Sequence, residues 1–381
     1  MKLNEICEVY SGYALKAFND AEDGFPVIKI GNIFMDGTLN LEECQYTTDG
    51  VNEKYYSQRG DIYIALSGAT TGKIGIMDAS EKYVINQRVG IVRQKSDDIP
   101  QEYIKYFLLR QTDRILQEAA GCAQPNISPR QIAEYVVPDT SQEKMQEICE
   151  VLDRIKKIID SRKVQISALD NLIKARFVEM FGDPVANEKG WTTKPLLDMG
   201  KCKNGMNFHY DDKGIEINCL GVGDFKNLSI IDNTEELPTI LLNEMPSEEY
   251  LLKDDDIVFV RSNGNKALVG RSLAVYPGDV PTTFSGFCIR YRKHDNEITV
   301  PYLLRVLKTD SMRMKMAGRG ANIQNLNQQI LGTLVIPVPP VELQNQFAAF
   351  VTEVNKSKVK VQKALDETQK LFDSLMQQYF G

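Results

Sequence analysis

The sequence predicts an α+β protein: two pseudo-twofold-related globular domains, each a mixed β-sheet with helices, separated by a long antiparallel two-helix coiled coil. Three observations lead there. The chain is written twice at a nearly constant offset. Each copy closes on a long segment with a heptad seam. Residues 182–340 must carry the chain from the end of the first seam to the start of the second. The expected boundaries are 1–140 for the first domain, 141–183 for a central helix, 184–340 for the second domain and 341–381 for a C-terminal helix.

The repeat is plainest where GCAQPNISPRQIAEYVVP, Gly121 to Pro138, returns as GANIQNLNQQILGTLVIP, Gly320 to Pro337, at an offset of 199. The same offset pairs Tyr103 with Tyr302, Asn126 with Asn325, and Phe181-Gly182 with Phe380-Gly381. Leu3 to Gly12 matches Leu196 to Gly205 at 193, so residues have been inserted within the second copy. Self-similarity over such a span marks a duplicated architecture.

Strands are expected where DIYIALS, Asp61 to Ser67, matches DIVFVRS, Asp256 to Ser262. The first continues as SGATTGKIGIM and at first sight looks like a phosphate loop. A phosphate loop needs four residues between its glycines, and Ser or Thr after the lysine. Only three separate Gly68 from Gly72, and Ile74 follows Lys73. The β-branched residues beyond it read as a second strand, so the segment is a hairpin loop. Gly72-Lys73 corresponds to Gly270-Arg271 after three extra residues in the second copy. Gly and Ser dominate turns in any case, so a plain hairpin turn and a ligand-facing loop both fit.

Apolar residues then recur at alternating steps of three and four. In the first helix they are Met145, Ile148, Leu152, Ile155, Ile159, Ile166, Leu169, Ile173 and Met180, with Arg162 and Arg176 in the gaps. In the second they are Phe347, Val351, Val354, Val361, Leu365, Phe372, Leu375 and Tyr379, with Lys358 and Thr368 in the gaps. A narrow heptad stripe needs a partner helix, and the other copy is the obvious one. At about 1.5 Å per residue, residues 142–180 would make a rod roughly 58 Å long. Antiparallel pairing lets one globular domain join the two helices without spanning that rod.

No apolar run approaches the ~18 residues of a membrane span, and MKLNEICEVYSG lacks the core of a signal peptide. The seven cysteines are scattered, without a C-x-x-C pair, which fits free thiols in a cytoplasmic protein. The net charge of −7 does not by itself advertise a nucleic-acid binder; its distribution supports one in part. Residues 216–256 hold eleven acids and two bases; residues 257–320 hold eleven bases and four acids. Met312 to Arg319, with Arg313, Lys315 and Arg319, is especially basic, and Arg88 belongs to a weaker basic stretch over 82–130. A basic side on an acidic domain suits phosphate contacts. The plainer reading of Met312 to Arg319 is an amphipathic helix over a core.

The order strand–SGATTGK–strand, then QPNIS or QNLN, then VVP or VIPVPP, then a heptad helix ending in MFGDP, with KGW at Lys189–Trp191, resembles the specificity subunit of type I restriction–modification enzymes. The likeness covers essentially the whole chain. It implies two target-recognition domains reading the two halves of a split, asymmetric sequence in double-stranded DNA. It implies helices that space the domains and dock two methyltransferase subunits, with motor-nuclease subunits in the full complex. It places S-adenosylmethionine, ATP and Mg on those partners, with no catalytic residue, cofactor or metal in this chain. The candidate DNA-facing residues are then Ser67, Thr70, Thr71, Lys73 and Arg88 in the first domain. In the second they are Arg261, Ser262, Asn263, Asn265, Arg271, Arg313, Lys315 and Arg319. Gln124-Pro125-Asn126 is read as a structural turn.

A stand-alone methyltransferase or nuclease is disfavoured. The sole Pro-Pro, Pro339-Pro340, is not part of an adenine-methylation motif, and His209 and His294 have no metal-ligand spacing around them. A coiled-coil scaffold with two binding domains unrelated to DNA remains the alternative.

Overall fold

The computed structural model describes residues 1–20, 22–120, 125–208, 214–225, 229–317 and 325–381. Gly121, Gln124, His209, Arg319 and Gly320 of the sequence analysis lie outside the described residues, as does Lys226, one of the two bases of 216–256. Packing divides the chain into two units: Met1–Val164 with Gln362–Gly381, and Gln165–Val361.

The first unit holds β1 (Cys7–Ser11), β2 (Phe25–Ile28), β3 (Gln45–Thr47), β4 (Ile62–Ala65), β5 (Ile74–Ile76), β6 (Val84–Ile85) and β7 (Val89–Gln94). Its helices are α1 (Leu3–Ile6), α2 (Gln101–Arg110), α3 (Thr112–Ala119), α4 (Pro129–Ala133) and the first part of α5 (Gln142–Phe181). An antiparallel sheet runs β1-β7-β4-β5, and a smaller mixed sheet runs β3-β2-β6.

The second unit holds β8 (Thr193–Pro195), β9 (Gly200–Asn204), β10 (Ile215–Leu220), β11 (Ile230–Ile231), β12 (Thr239–Leu242), β13 (Asp256–Val260), β14 (Ser272–Val275), β15 (Thr282–Phe284), β16 (Cys288–Lys293) and β17 (Val335–Pro337). It also holds α6 (Val300–Leu307), α7 (Asp310–Ala317), α8 (Gln328–Gly332) and the first part of α9 (Val341–Phe380). Its sheets run β9-β16-β13-β14-β11 and β12-β10-β15, with a two-stranded β17-β8 pair besides, so the strand order of the first unit is repeated with β11 added at one edge and the β17-β8 pair added. The chain is an α+β protein built twice.

The sequence explains why β4 and β13 are central. Both are buried along their whole length, and successive side chains serve opposite cores. Ile62 and Ile64 join the helix-covered core, while Tyr63 and Ala65 join the core between the sheets. Ile257 and Phe259, then Val258 and Val260, divide in the same way. Each repeat also needs a glycine where chain crosses chain. A Cβ on Gly12 would lie 2.3 Å from the Ile85 carbonyl oxygen, and one on Gly205 2.1 Å from that of Ser285.

The two long helices are each 40 residues, and their bounds differ by the repeat offset. In the first unit, Met145, Ile148 and Leu152 share a core with Met376 and Phe380, and Phe380 packs edge-on to Tyr103 at 5.0 Å. Further along α5, Arg162 donates to the Ala364 carbonyl and the Thr368 hydroxyl. Rising numbers on α5 therefore meet falling numbers on α9: the pair is antiparallel. In the second unit Lys358 pairs with Asp170 at 2.7 Å, and Phe177 and Phe181 meet Phe347 at 5.5 and 5.6 Å. Ile148, Leu152, Ile155, Ile159, Phe347 and Val354 are buried. Ile166, Leu169, Ile173, Val351, Val361, Leu365, Phe372 and Leu375 are partly buried. Met145 has no apolar equivalent: Gln344, at the offset, is fully buried and donates to the carbonyls of Glu297 and Pro339.

Past α5, Trp191 donates its indole N–H to the Phe181 carbonyl at 3.0 Å. Asn187 holds both the N–H and the carbonyl of Trp191. The KGW motif thus fastens the end of the helix to the strand that opens the second unit. No helix of the described residues is long and apolar enough to cross a membrane.

Candidate nucleic-acid interface

The β4–β5 loop and the β13–β14 loop rest on the same backbone framework. Ala65 N–H donates to Lys73 O and Gly72 N–H to Ala65 O, each at 2.9 Å; Val260 with Arg271, and Gly270 with Val260, do the same at 2.9 Å. A following segment braces each base, through Ile127 N–H to Leu66 O at 2.9 Å and Leu326 N–H to Arg261 O at 2.8 Å. Gly68 N–H also donates to Pro125 O, so the described part of the Gln124–Asn126 turn supports the loop.

On that framework the side chains separate. Ser67, Thr70 and Lys73 are partly exposed, and Arg88 is exposed on the neighbouring turn, whose carbonyl accepts from Leu66 N–H. Thr71 faces inward: it is 5% exposed, and its hydroxyl donates to Gly68 O at 2.7 Å. In the second unit Ser262 and Asn263 are partly exposed and Asn265 is exposed. Asn263 Oδ1 accepts from Asn265 N–H, and Asn265 Oδ1 from Ala267 N–H, so both amides shape their own loop. Arg261 takes the place of buried Leu66 and donates to Gly286 O at 3.3 Å.

Helix α7 approaches this loop, Arg313 Nη2 donating to Val269 O at 3.3 Å. Met312 and Met316 turn into the core, while Lys315 is exposed, so the basic segment is both core cover and charged surface. No described hydrogen bond or ion pair brings Lys315 to the loop. Cations gather beside it in a way composition did not reveal. Lys308 donates to Ser229 at 2.8 Å. Its burial, then Arg305, Lys358 and Arg271, push its pKa down to about 8, against the pull of Asp170. Burial, then Arg271, also lowers Arg313. At offset 199 the first repeat has Tyr106 and Leu109 for Arg305 and Lys308. Its counterpart of Arg313, Arg114, is paired with Glu118 at 2.8 Å. The cationic grouping belongs to the second unit.

Two arginines of the basic stretches serve the fold. Arg93 binds Asp61 through Nε and Nη2 at 2.7 and 2.6 Å, and Arg292 binds Asp256 in the same way at 2.7 Å each. One residue beside the loop was missed. Phe287, which stands at the position of Arg88 and whose carbonyl accepts from Arg261 N–H at 2.8 Å, is 62% exposed. Its signal was the repeat itself: an aromatic ring aligned with an exposed arginine. Among the described residues no group of three His, Cys, Asp or Glu is placed to hold a metal ion.

A duplicated sheet whose two loops share their base hydrogen bonds and differ in length and side chains defines a protein with two similar but unequal domains. Residues 1–170 and 188–368 both match the family described as type I restriction modification DNA specificity domain. The chain belongs to this family and is a type I specificity subunit with two target-recognition domains. It is 24% identical over 399 residues to the StySPI specificity subunit of Salmonella potsdam, covering 96% of this chain and 84% of that one. It is 22% identical over 405 residues to the putative MjaX specificity subunit of Methanocaldococcus jannaschii, covering 95% and 89%. In fold it is similar to the S subunit from M. genitalium, with a TM-score of 0.53 at 17% identity over 100% of this chain and 95% of that one. A chain from work on assembly and conformational transition of the type I R-M system gives 0.60 at 14% identity, over 100% and 96%.

Proposed function

We propose that each loop reads one half of a split, asymmetric DNA target and that this chain performs no chemistry itself. The observation that carries this is the shared loop base with different side chains: Lys73 and Arg88 on one, Arg271, Ser262, Asn263 and Phe287 on the other, the Thr70 hydroxyl being buried. The shared base sets both loops at the same place on their sheets; unequal length and side chains would read unlike bases. Thr71 is left out of the contacting set, since its hydroxyl is spent inside the turn.

The cationic grouping around Arg271, Arg305, Lys308 and Arg313 supports an unequal division of labour. The second domain would supply more of the phosphate grip, and the first would depend more on its loop. The paired helices would set the gap between half-sites and dock two methyltransferase subunits. Motor-nuclease subunits would join for cleavage. S-adenosylmethionine, ATP and Mg would be held by those partners.

The test is methylome sequencing of a host expressing this chain with its neighbouring methyltransferase gene, against the same host lacking this chain. A split, asymmetric N6-methyladenine motif that depends on this chain supports the reading. No such motif with a competent methyltransferase present overturns it in favour of the scaffold.

A further inference from the structure

Arg290, on β16, stands where the first repeat has Ile91. Ile91 is fully buried in the core between the sheets, opposite Tyr63, whose hydroxyl donates to Asp61 at 3.2 Å. Arg290 faces the smaller Val258 and is only 6% exposed, yet neither its Nε nor its Nη1 has a hydrogen-bond partner. The nearby carboxylate is already engaged: Asp256 accepts Arg292 on both oxygens and the Lys253 N–H on Oδ2. Two guanidinium groups therefore lean on the same carboxylate in a buried place, with Glu249 adding a weaker pull on Arg290, which is unfavourable unless further negative charge is supplied.

A recess of about 360 Å³ opens there, lined by Arg290, Arg292, Lys201, Lys293, His294, Glu248 and Glu249. The two glutamates are already paired, Glu248 with Lys253 at 3.2 Å and Glu249 with Lys203 at 2.6 Å. Among the described residues, Lys201, Arg290 and Lys293 have no carboxylate partner; Lys293 donates to the Asp295 carbonyl at 3.1 Å. The recess thus presents unmatched positive charge around a guanidinium with two idle donors. It lies at the Asp256 end of β13, and the Arg261–Arg271 loop leaves the other end.

We propose that this recess is a binding site for one phosphate-type oxyanion, anchored by Arg290. The planar fork of a guanidinium matches two oxygens of such an anion, and Lys201 and Lys293 add charge from the rim. The first domain fills the equivalent volume with Tyr63 and Ile91, so the site belongs to the second domain alone. Free phosphate and a DNA backbone phosphate share this chemistry.

The experiment follows thermal unfolding of the full chain in phosphate and in chloride at equal ionic strength. The wild type should gain roughly 5 °C at a hundredfold excess of phosphate over Kd. Arg290→Met should be at least as stable as wild type in chloride, because it removes an unpaired buried charge, and should not respond to phosphate. Lys201→Ala, at the exposed rim, should keep the fold and weaken the phosphate response several-fold. An equal rise in wild type and Arg290→Met means an adventitious ion only. Loss of stability by Arg290→Met in chloride, with no phosphate response in wild type, means the guanidinium is core packing. Either overturns the proposal. The source follows from duplex binding by the complex assembled with its methyltransferase: weakening by phosphate in wild type but not in Arg290→Met marks a backbone phosphate, and no weakening marks free phosphate. Both keep the site.

Discussion

Arg292 holds Asp256 through two parallel hydrogen bonds of 2.7 Å, and Arg93 holds Asp61 by the same two atoms. In each repeat the same guanidinium also donates to a loop carbonyl, Leu251 at 2.9 Å or Tyr56 at 2.8 Å, so a central strand, its neighbour and a loop are tied at one point. Asp61→Asn and Asp256→Asn each break a buried pair, which costs about 3–5 kcal/mol. Asp256→Asn should cost more, because Arg290 lies beside the same carboxylate. Urea unfolding checks this; a loss under about 0.5 kcal/mol for either would sink it.

Lys73→Ala and Arg271→Ala should leave folding intact and weaken DNA binding by the assembled complex. If each serves a phosphate, each lowers the slope of log K against log salt by about one. Arg271→Ala should weaken binding more, since its neighbours Lys308 and Arg313 act on the same region. Binding isotherms at several salt concentrations decide it. Unchanged slopes for both variants would remove these residues from the interface.

Phe287→Ala removes an exposed ring that the core does not use. Its stability should stay within about 0.5 kcal/mol of wild type. Discrimination at one position of the second half-site should fall, with the first half-site unaffected. Binding to a set of single-base variants of the target reads both effects, and a uniform or absent loss would contradict a base contact.

Lys308 gives a pH dependence whose sign is set by its lowered pKa of about 8. Between that value and the ordinary 10.5 the unfolded chain binds more protons than the folded one. Stability from this residue is therefore lowest below about 8 and rises with pH up to 10.5. Lys308→Met should raise stability at pH 7, on the order of 2 kcal/mol, with a smaller gain at pH 9.5. A gain that is equal at the two pH values would show that burial of this ammonium is not the cause. DNA affinity of the wild type should fall as pH rises through 8, and that of Lys308→Met should not.

Inserting residues between Asp160 and Lys163 lengthens α5 beside Arg162 and its partners on α9. The expected result is a changed gap between half-sites, or loss of assembly. Sequencing of methylated sites reads the gap directly. The original target with full activity would show that the helices do not set it.

The repeat was legible because an offset is a statement about topology, and topology survives divergence of side chains. α5 and α9 differ by that offset at both ends. The helix ends were less legible. A seven-residue step drifts against 3.6 residues per turn, so Phe177, Phe181, Met376 and Phe380 are the ones buried, while Met180 and Tyr379 are only partly so. Charge misled differently. Counting bases over 257–320 cannot separate Arg292, spent on Asp256, and buried Arg290 from Lys315, which faces water. Phe287 was legible only through its alignment with Arg88, and the grouping around Lys308 depends on which loop meets which helix, which is decided by tertiary packing.

The packing of Phe380 on Tyr103 has a consequence for how the protein is made. The unit that begins at Met1 is walled in part by residues 362–381, whereas Gln165–Val361 is one uninterrupted stretch. During translation the later-made unit has all its parts first, and the earlier one must wait for the final helical turns to leave the ribosome. A nonsense mutation just past Val361 would therefore harm the N-terminal half of the protein while leaving the stretch beside it whole.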